Sequence, residues 1–272
     1  MRCEFFSSLE CVLYEKTMEA KFEKFEHFYE NFKGGGFFFN ADHPSIFRPN
    51  SHEKIRLLHP TRLRRPKFAN SHKALAKLIH SIAHIEFSAI NLALDACYRF
   101  KNLPLAFYED WLEVACDEMR HFKLLNLALK ELGFEYGSFP AHDNFEEALR
   151  ATKDSLKFRM GVVHRGLEAK GLDANPFIVK KLQSSPHPIR PLLEEILGTI
   201  LRDEIRHVQK GDLWWKFAKD EREDFITLCE KFKKFNLAGK KLNTKARLAA
   251  GFEAGELEQI AKFYSFCAGE KG

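Results

Sequence analysis

No stretch of this 272-residue chain stays apolar for anything near the roughly 20 residues that a membrane-crossing helix needs, so no membrane-spanning segment is expected. The amino terminus, Met1-Arg2-Cys3-Glu4-Phe5-Phe6, continues into Ser, Glu and Lys and lacks the apolar core of a secretory signal. Its six cysteines, Cys3, Cys11, Cys97, Cys116, Cys229 and Cys267, lie far apart, and none forms C-x-x-C. That spacing argues against a zinc site or a disulfide framework and favours reduced thiols in the cytosol. Strand-like alternation of useful length is missing, and no repeat of solenoid period appears.

Charge is plentiful but nearly balanced. Forty-three Lys and Arg against 38 Asp and Glu leave a formal net charge of +5, which permits an acidic partner without requiring one. The densest basic run is Arg62, Arg64, Arg65 and Lys67, bracketed by Pro60 and Pro66. It reads either as a solvated linker or as a strip that contacts phosphates.

What the chain does have is one phrase written twice: Asp117-Glu118-Met119-Arg120-His121 and Asp203-Glu204-Ile205-Arg206-His207. Positions i and i+3 of a helix share a face, so each Glu-x-x-His aims a carboxylate and an imidazole at one point. Two such helices, with an inward Glu from each of two others, form the ligand set of the ferritin-like dimetal carboxylate proteins. Glu86 and Glu168 lie at suitable places to supply the other two.

The expected organisation is all-α. Residues 1–33 read as amphipathic helix ending at Gly34-Gly35-Gly36, and residues 34–70 as an extended wrap or linker. A ferritin-like four-helix bundle over 71–218 follows, with a C-terminal helical extension over 219–272. Its first helix runs from about Ser71 to Lys101, stopped by Asn102 and Pro104, and its second from Leu105 to Gly133. The third starts at Asp143, with Glu146 three places on as in a capping box, and reaches Gly171. A short helix is expected after Pro176. The fourth begins near Ile189-Arg190-Pro191 and ends near Ala218.

Helical spacing places three of the acids on apolar stripes. Around Glu86 stand Ile79, Ile82, Ala83, Ala89, Ile90, Ala93 and Leu94; around Glu118, Trp111, Val114, Ala115, Phe122 and Leu125; around Glu204, Ile196, Leu197, Ile200, Leu201 and Val208. A lone buried carboxylate costs several kcal/mol unless it is protonated, paired or metal-bound. Two divalent ions would serve all three at once and suit mixed carboxylate–imidazole ligation. Glu168 sits only at the edge of its stripe (Phe145, Leu149, Thr152, Leu156, Met160, Val163, Leu167), and the residues alone leave it open. Asp117 and Asp203 read equally as partners of the ligand imidazoles or of Arg120 and Arg206. His80 and His84 lie off the face of Glu86 and read as hydrogen-bonded or exposed groups, and His142 as structural. Tyr98, Tyr108, Trp111, Trp214 and Trp215 read as core aromatics.

Several stretches resemble the ferritin-like family called domain of unknown function 455. They are His84-Ile85-Glu86-Phe87 with the run from Ala89 to Ala96, then Phe107 to Leu112, then the first Asp-Glu-x-x-His. Further on come Tyr136 to Asp143, Leu167-Glu168-Ala169-Lys170-Gly171-Leu172-Asp173, Leu201 to Val208, and Asn243 to Phe252. The likeness covers most of residues 70–260. It implies that Glu168 is the third-helix ligand, and that His164 stands where a small or proline-like residue is expected. By ligand pattern the chain is also similar to MiaE, a di-iron hydroxylase of modified tRNA. The metal ligands implied are Glu86, Glu118, His121, Glu168, Glu204 and His207, with Glu118 and Glu204 bridging two ions, His121 and His207 capping one each, and Glu86 and Glu168 terminal. The cofactor implied is two metal ions, Fe/Fe or Mn/Fe, and the activity an O2-dependent hydroxylation of a small molecule or a tRNA base by a cytoplasmic monomer or homodimer. Metal storage or peroxide detoxification is the alternative, and assembly into a 24-mer would mark it.

Overall fold

The computed structural model describes residues 2–48, 55–59, 62–63, 71–142 and 144–269. The fold is all-α. Two compact units divide the chain, one made of residues 1–65 with 76–146, the other of 66–75 with 147–272. Among the described residues no helix is long and apolar enough to cross a membrane. Five cysteines there, Cys3, Cys11, Cys97, Cys116 and Cys229, are free thiols. Of the basic run only Arg62 is described; Arg64, Arg65 and Lys67 lie outside the described residues, as does the capping position Asp143.

The first unit opens with two helices where the pattern predicts one. Helix α1 spans Phe5–Leu13 and α2 spans Met18–Lys33. Local side chains make the break. Glu15 accepts from the amides of Lys16 and Thr17, and the Thr17 hydroxyl then caps α2 by accepting from Ala20. Lys21 closes the gap from inside, its Nζ donating to the Val12 and Leu13 carbonyls at 3.2 and 2.5 Å and to Asn91 Oδ1 at 3.0 Å. Burial pushes its ammonium down to about 7. Two residues on each side of these helices pair as parallel strands, β1 (Cys3–Glu4) with β2 (Phe37–Phe38).

Helices α3 (His72–Arg99) and α4 (Leu105–Glu131) match their expected spans closely. Gly133 has a φ of +69°, as a C′ glycine should, and Phe134 donates back to Leu129. The N-terminal helices pack on this pair through aromatic rings. Phe5 meets Phe28 and Tyr108 at 5.3 Å each, and Phe22 meets Phe122 at 5.5 Å and Phe87 at 6.4 Å. Each phenylalanine so buried contributes about 1.5–3 kcal/mol, so the phenylalanine-rich amino-terminal segment works as a second layer over α3 and α4.

The second unit departs from expectation in its first third. A single helix to Gly171 is not formed. Helix α5 (Asn144–Ala151) stops, a single turn α6 (Leu156–Phe158) restarts, and residues Arg159–Leu167 wind as a π-helix that passes directly into α7 (Glu168–Gln183). The stop has a cause: Thr152 turns its hydroxyl back on Ala148 at 2.8 Å, and the buried Arg159 donates to Thr152 Oγ1 and the Leu149 carbonyl. The expected helix start after Pro176 is also corrected, because Pro176 lies inside α7. Proline removes the partner of the Leu172 carbonyl four residues back, and Asn243 Nδ2 replaces it at 3.2 Å.

Helix α8 (Arg190–Ala218) follows as predicted, then α9 (Phe225–Lys231), α10 (Thr244–Ala249) and α11 (Ala254–Gly269). Two buried arginines tie these to the rest of the unit. Arg247 grips Asp173 at 2.9 and 2.7 Å, and Arg165 bonds Asp212 at 2.6 Å and Glu256 at 2.7 Å under the ring of Phe252.

Candidate metal centre

In the first unit α3 carries Glu86 and α4 carries Glu118 and His121. The apolar stripe around Glu86 is buried at every one of its seven positions, so the acid is sealed from water. His121 Nδ1 lies 3.2 Å from Glu86 Oε2 and 3.5 Å from Glu118 Oε2. The three residues each bring a ligand atom to within 4.8 Å of the others. Burial and then the neighbouring Glu118 charge push the Glu86 carboxyl up to about 7. Burial alone would depress the His121 imidazole, but Glu118 and Glu86 outweigh it and raise it to about 11. Without a metal, the imidazole thus favours its protonated form beside these acids.

The neighbouring histidines are hydrogen-bonded. His84 Nε2 donates to the His142 carbonyl at 3.0 Å, and its Nδ1 accepts from the Tyr136 hydroxyl at 2.9 Å. His80 Nε2 accepts from the Gly137 amide at 3.0 Å, and burial pulls its pKa down to about 4. The arginine contacts of the aspartates that open each phrase are present: Asp117 accepts from Arg120 at 2.6 Å and Asp203 from Arg206 at 2.8 Å. Tyr98, Tyr108, Trp111, Trp214 and Trp215 are all buried.

In the second unit α8 carries Glu204 and His207, whose Nδ1 and Oε1 are 3.7 Å apart. The Glu204 side chain is 15 % exposed, against 1 % for Glu118. Glu168, the first residue of α7, is buried, and its Oε1 accepts from His164 Nδ1 at 2.8 Å. His164 stands four positions before Glu168, a spacing that puts the two side chains on one helical face. Burial, then Arg159 and His207, hold that imidazole well below the usual histidine range, so it is neutral.

The donor set fits a hard or borderline divalent ion. Glu86, Glu118 and His121 offer oxygen and imidazole nitrogen without sulfur, the combination that suits iron and manganese. Residues 14–258 match the family model described as Protein of unknown function (DUF455). The chain belongs to that family. An uncharacterized protein of Haemophilus influenzae is 41 % identical over 220 residues, covering 76 % of this chain and 75 % of its own length. No solved structure matches the chain.

Proposed function

We propose that this DUF455 member is a dimetal carboxylate oxidoreductase of ferritin-like architecture that uses O2 to hydroxylate an organic substrate in the cytoplasm. The observation that carries the reading is the buried trio Glu86, Glu118 and His121, drawn together on α3 and α4. The second ligand set, Glu168, Glu204 and His207, has the same composition of two carboxylates and one imidazole.

Two such sets supply four carboxylate charges, which balance two divalent ions, and so relieve the cost of burying the acids. When bound, a pair of iron or Mn/Fe ions would supply the redox chemistry with O2. The chain's own residues hold the ions, set their charge and keep bulk water out. Ile82, Ala83 and Ile90 do the last of these beside Glu86. Both a small molecule and a tRNA base fit as substrate. The similarity to MiaE and the basic run from Arg62 to Lys67 support the base.

Anaerobic loading with ferrous iron, followed by a pulse of O2 and optical spectroscopy, tests the redox reading. The expected result is O2 uptake with new near-ultraviolet absorption in the wild type, both lost in Glu86→Ala. Iron that binds but leaves O2 untouched would refute oxygenase activity, and a 24-mer that accumulates iron would replace it with storage.

A further inference from the structure

We propose that the lysine-rich segment that ends α9 and opens α10 is a docking surface for the phosphate backbone of RNA. The choice of RNA rests on the reading above that a tRNA base is a substrate. The seventeen residues from Lys231 to Arg247 carry seven basic side chains and no acid, more positive charge than the +5 of the whole chain. All six lysines of the segment are exposed, and only Arg247 is buried. Lys234 pairs with Glu147 at 2.8 Å, but among the described residues no acid pairs with Lys240, Lys241 or Lys245. Those three are the core of the surface.

An ordinary solvated run of charge is slack, and this one is held. Asp173 of α7 accepts from the Gly239 amide at 2.7 Å and from the Asn243 amide at 2.8 Å, and Arg247 closes a two-point ion pair on the same carboxylate. A Cβ on Gly239 would meet that of Asp173 at 2.5 Å, so the loop backbone lies directly against α7. Asn243 also caps α10, its Oδ1 accepting from the Ala246 amide at 3.3 Å. Lys240 and Lys241 therefore stand between two anchored residues, and Lys245 follows in the first turn of α10. A loop whose backbone is already fixed loses less entropy on binding than a free lysine tail.

The composition of the exposed face favours phosphates over a bilayer. From Asn236 to Lys245 the exposed side chains are those of Asn236, Lys240, Lys241, Thr244 and Lys245, all polar. A surface that binds a membrane sets its lysines beside large apolar groups that enter the acyl boundary, and none of this stretch is exposed; Leu237 is buried. Lysine with the hydrogen-bonding side chains of Asn and Thr is the set that meets phosphate and sugar.

Fluorescence anisotropy of a labelled tRNA transcript, titrated with metal-free protein across a range of KCl concentrations, tests the surface. Wild type should bind, with affinity falling as salt rises. A triple variant, Lys240→Gln with Lys241→Gln and Lys245→Gln, should bind at least about tenfold more weakly, and its slope of log affinity against log salt should be smaller by about two to three. A control with equal loss of charge, Lys24→Gln with Lys33→Gln and Lys123→Gln, alters exposed lysines of the first unit and should bind like wild type. Equal weakening by both triples, or a loop triple that binds as wild type does, overturns the proposal. So does a wild type that ignores the transcript, or that prefers phosphatidylserine vesicles or a DNA duplex to it. Failure in this metal-free assay leaves iron-dependent O2 uptake to be judged on its own. Transcript binding lost in the loop triple, by a protein that takes up no O2, would support the surface while refuting the oxygenase.

Discussion

The two copies of the doubled phrase sit in contrasting surroundings. Seven residues after Glu118, α4 carries Leu125, fully buried; seven after Glu204, α8 carries Gly211. The leucine is an ordinary core side chain, shut off from solvent. The glycine instead lets α8 touch the backbone of a π-helix at His164. Around the first phrase the neighbouring acids raise the His121 imidazole; near the second, burial lowers that of His164, which is bonded to Glu168. The same five-residue phrase therefore leads to a sealed region of regular helices and to a more open one where α8 packs against a π-helix. The lesson is that a ligand motif specifies direction, while the residues one or two turns away decide how its neighbours are held.

Substitutions can break this contrast from either side. The largest effect is expected at Leu125→Ala, which removes a fully buried side chain from the regular half and should cost about 3 kcal/mol or more in urea unfolding. A loss below about 1 kcal/mol would mean that the packing there is loose. Next comes the pH response of the same half. His80 titrates near 4 when folded and near 6.5 when unfolded, so the unfolded chain takes up the proton first as pH falls. Stability that is intact above pH 6.5 should therefore decline through that window and level off below 4. Relative to His80→Gln, wild type should lose up to roughly 3 kcal/mol across it. Parallel curves for the two proteins would show that His80 is charged in the fold. In the second unit, Gly211→Ala should cost about 2 kcal/mol, because the methyl group must displace the main chain at His164. A neutral Gly211→Ala would mean that the π-helix yields easily.

Much of the helical layout was legible in the sequence, and the failures share a physical cause. Helices α3, α4 and α8 have strong apolar stripes and distinct stops, and their observed ends fall within a few residues of expectation. The stripe around Glu86 translated directly into burial. The third helix failed because two of its features are tertiary. Thr152 and Arg159 end α5 through side-chain bonds that no period reveals, and Pro176 continues α7 only because Asn243, far along the chain, serves the Leu172 carbonyl. The break before Thr17 has a milder cause: apolar spacing runs across it, while Glu15 and Thr17 divide the helices through side-chain bonds to the backbone. In the candidate site, the helical spacing brought Glu86, Glu118 and His121 together as drawn. The contact between His164 and Glu168 is an i,i+4 pair that helical spacing allows, whereas the π-register of the segment between them leaves no mark in the sequence.

The most direct test of the central claim, that buried acids and imidazoles from both copies of the phrase hold metal, is elemental analysis by mass spectrometry after anaerobic ferrous reconstitution. Wild type should carry about two ions per chain, and Glu118→Ala and His207→Ala should each lose metal while keeping the helical circular-dichroism spectrum. Folded wild-type protein that retains none, or variants that retain as much as wild type, would contradict the account.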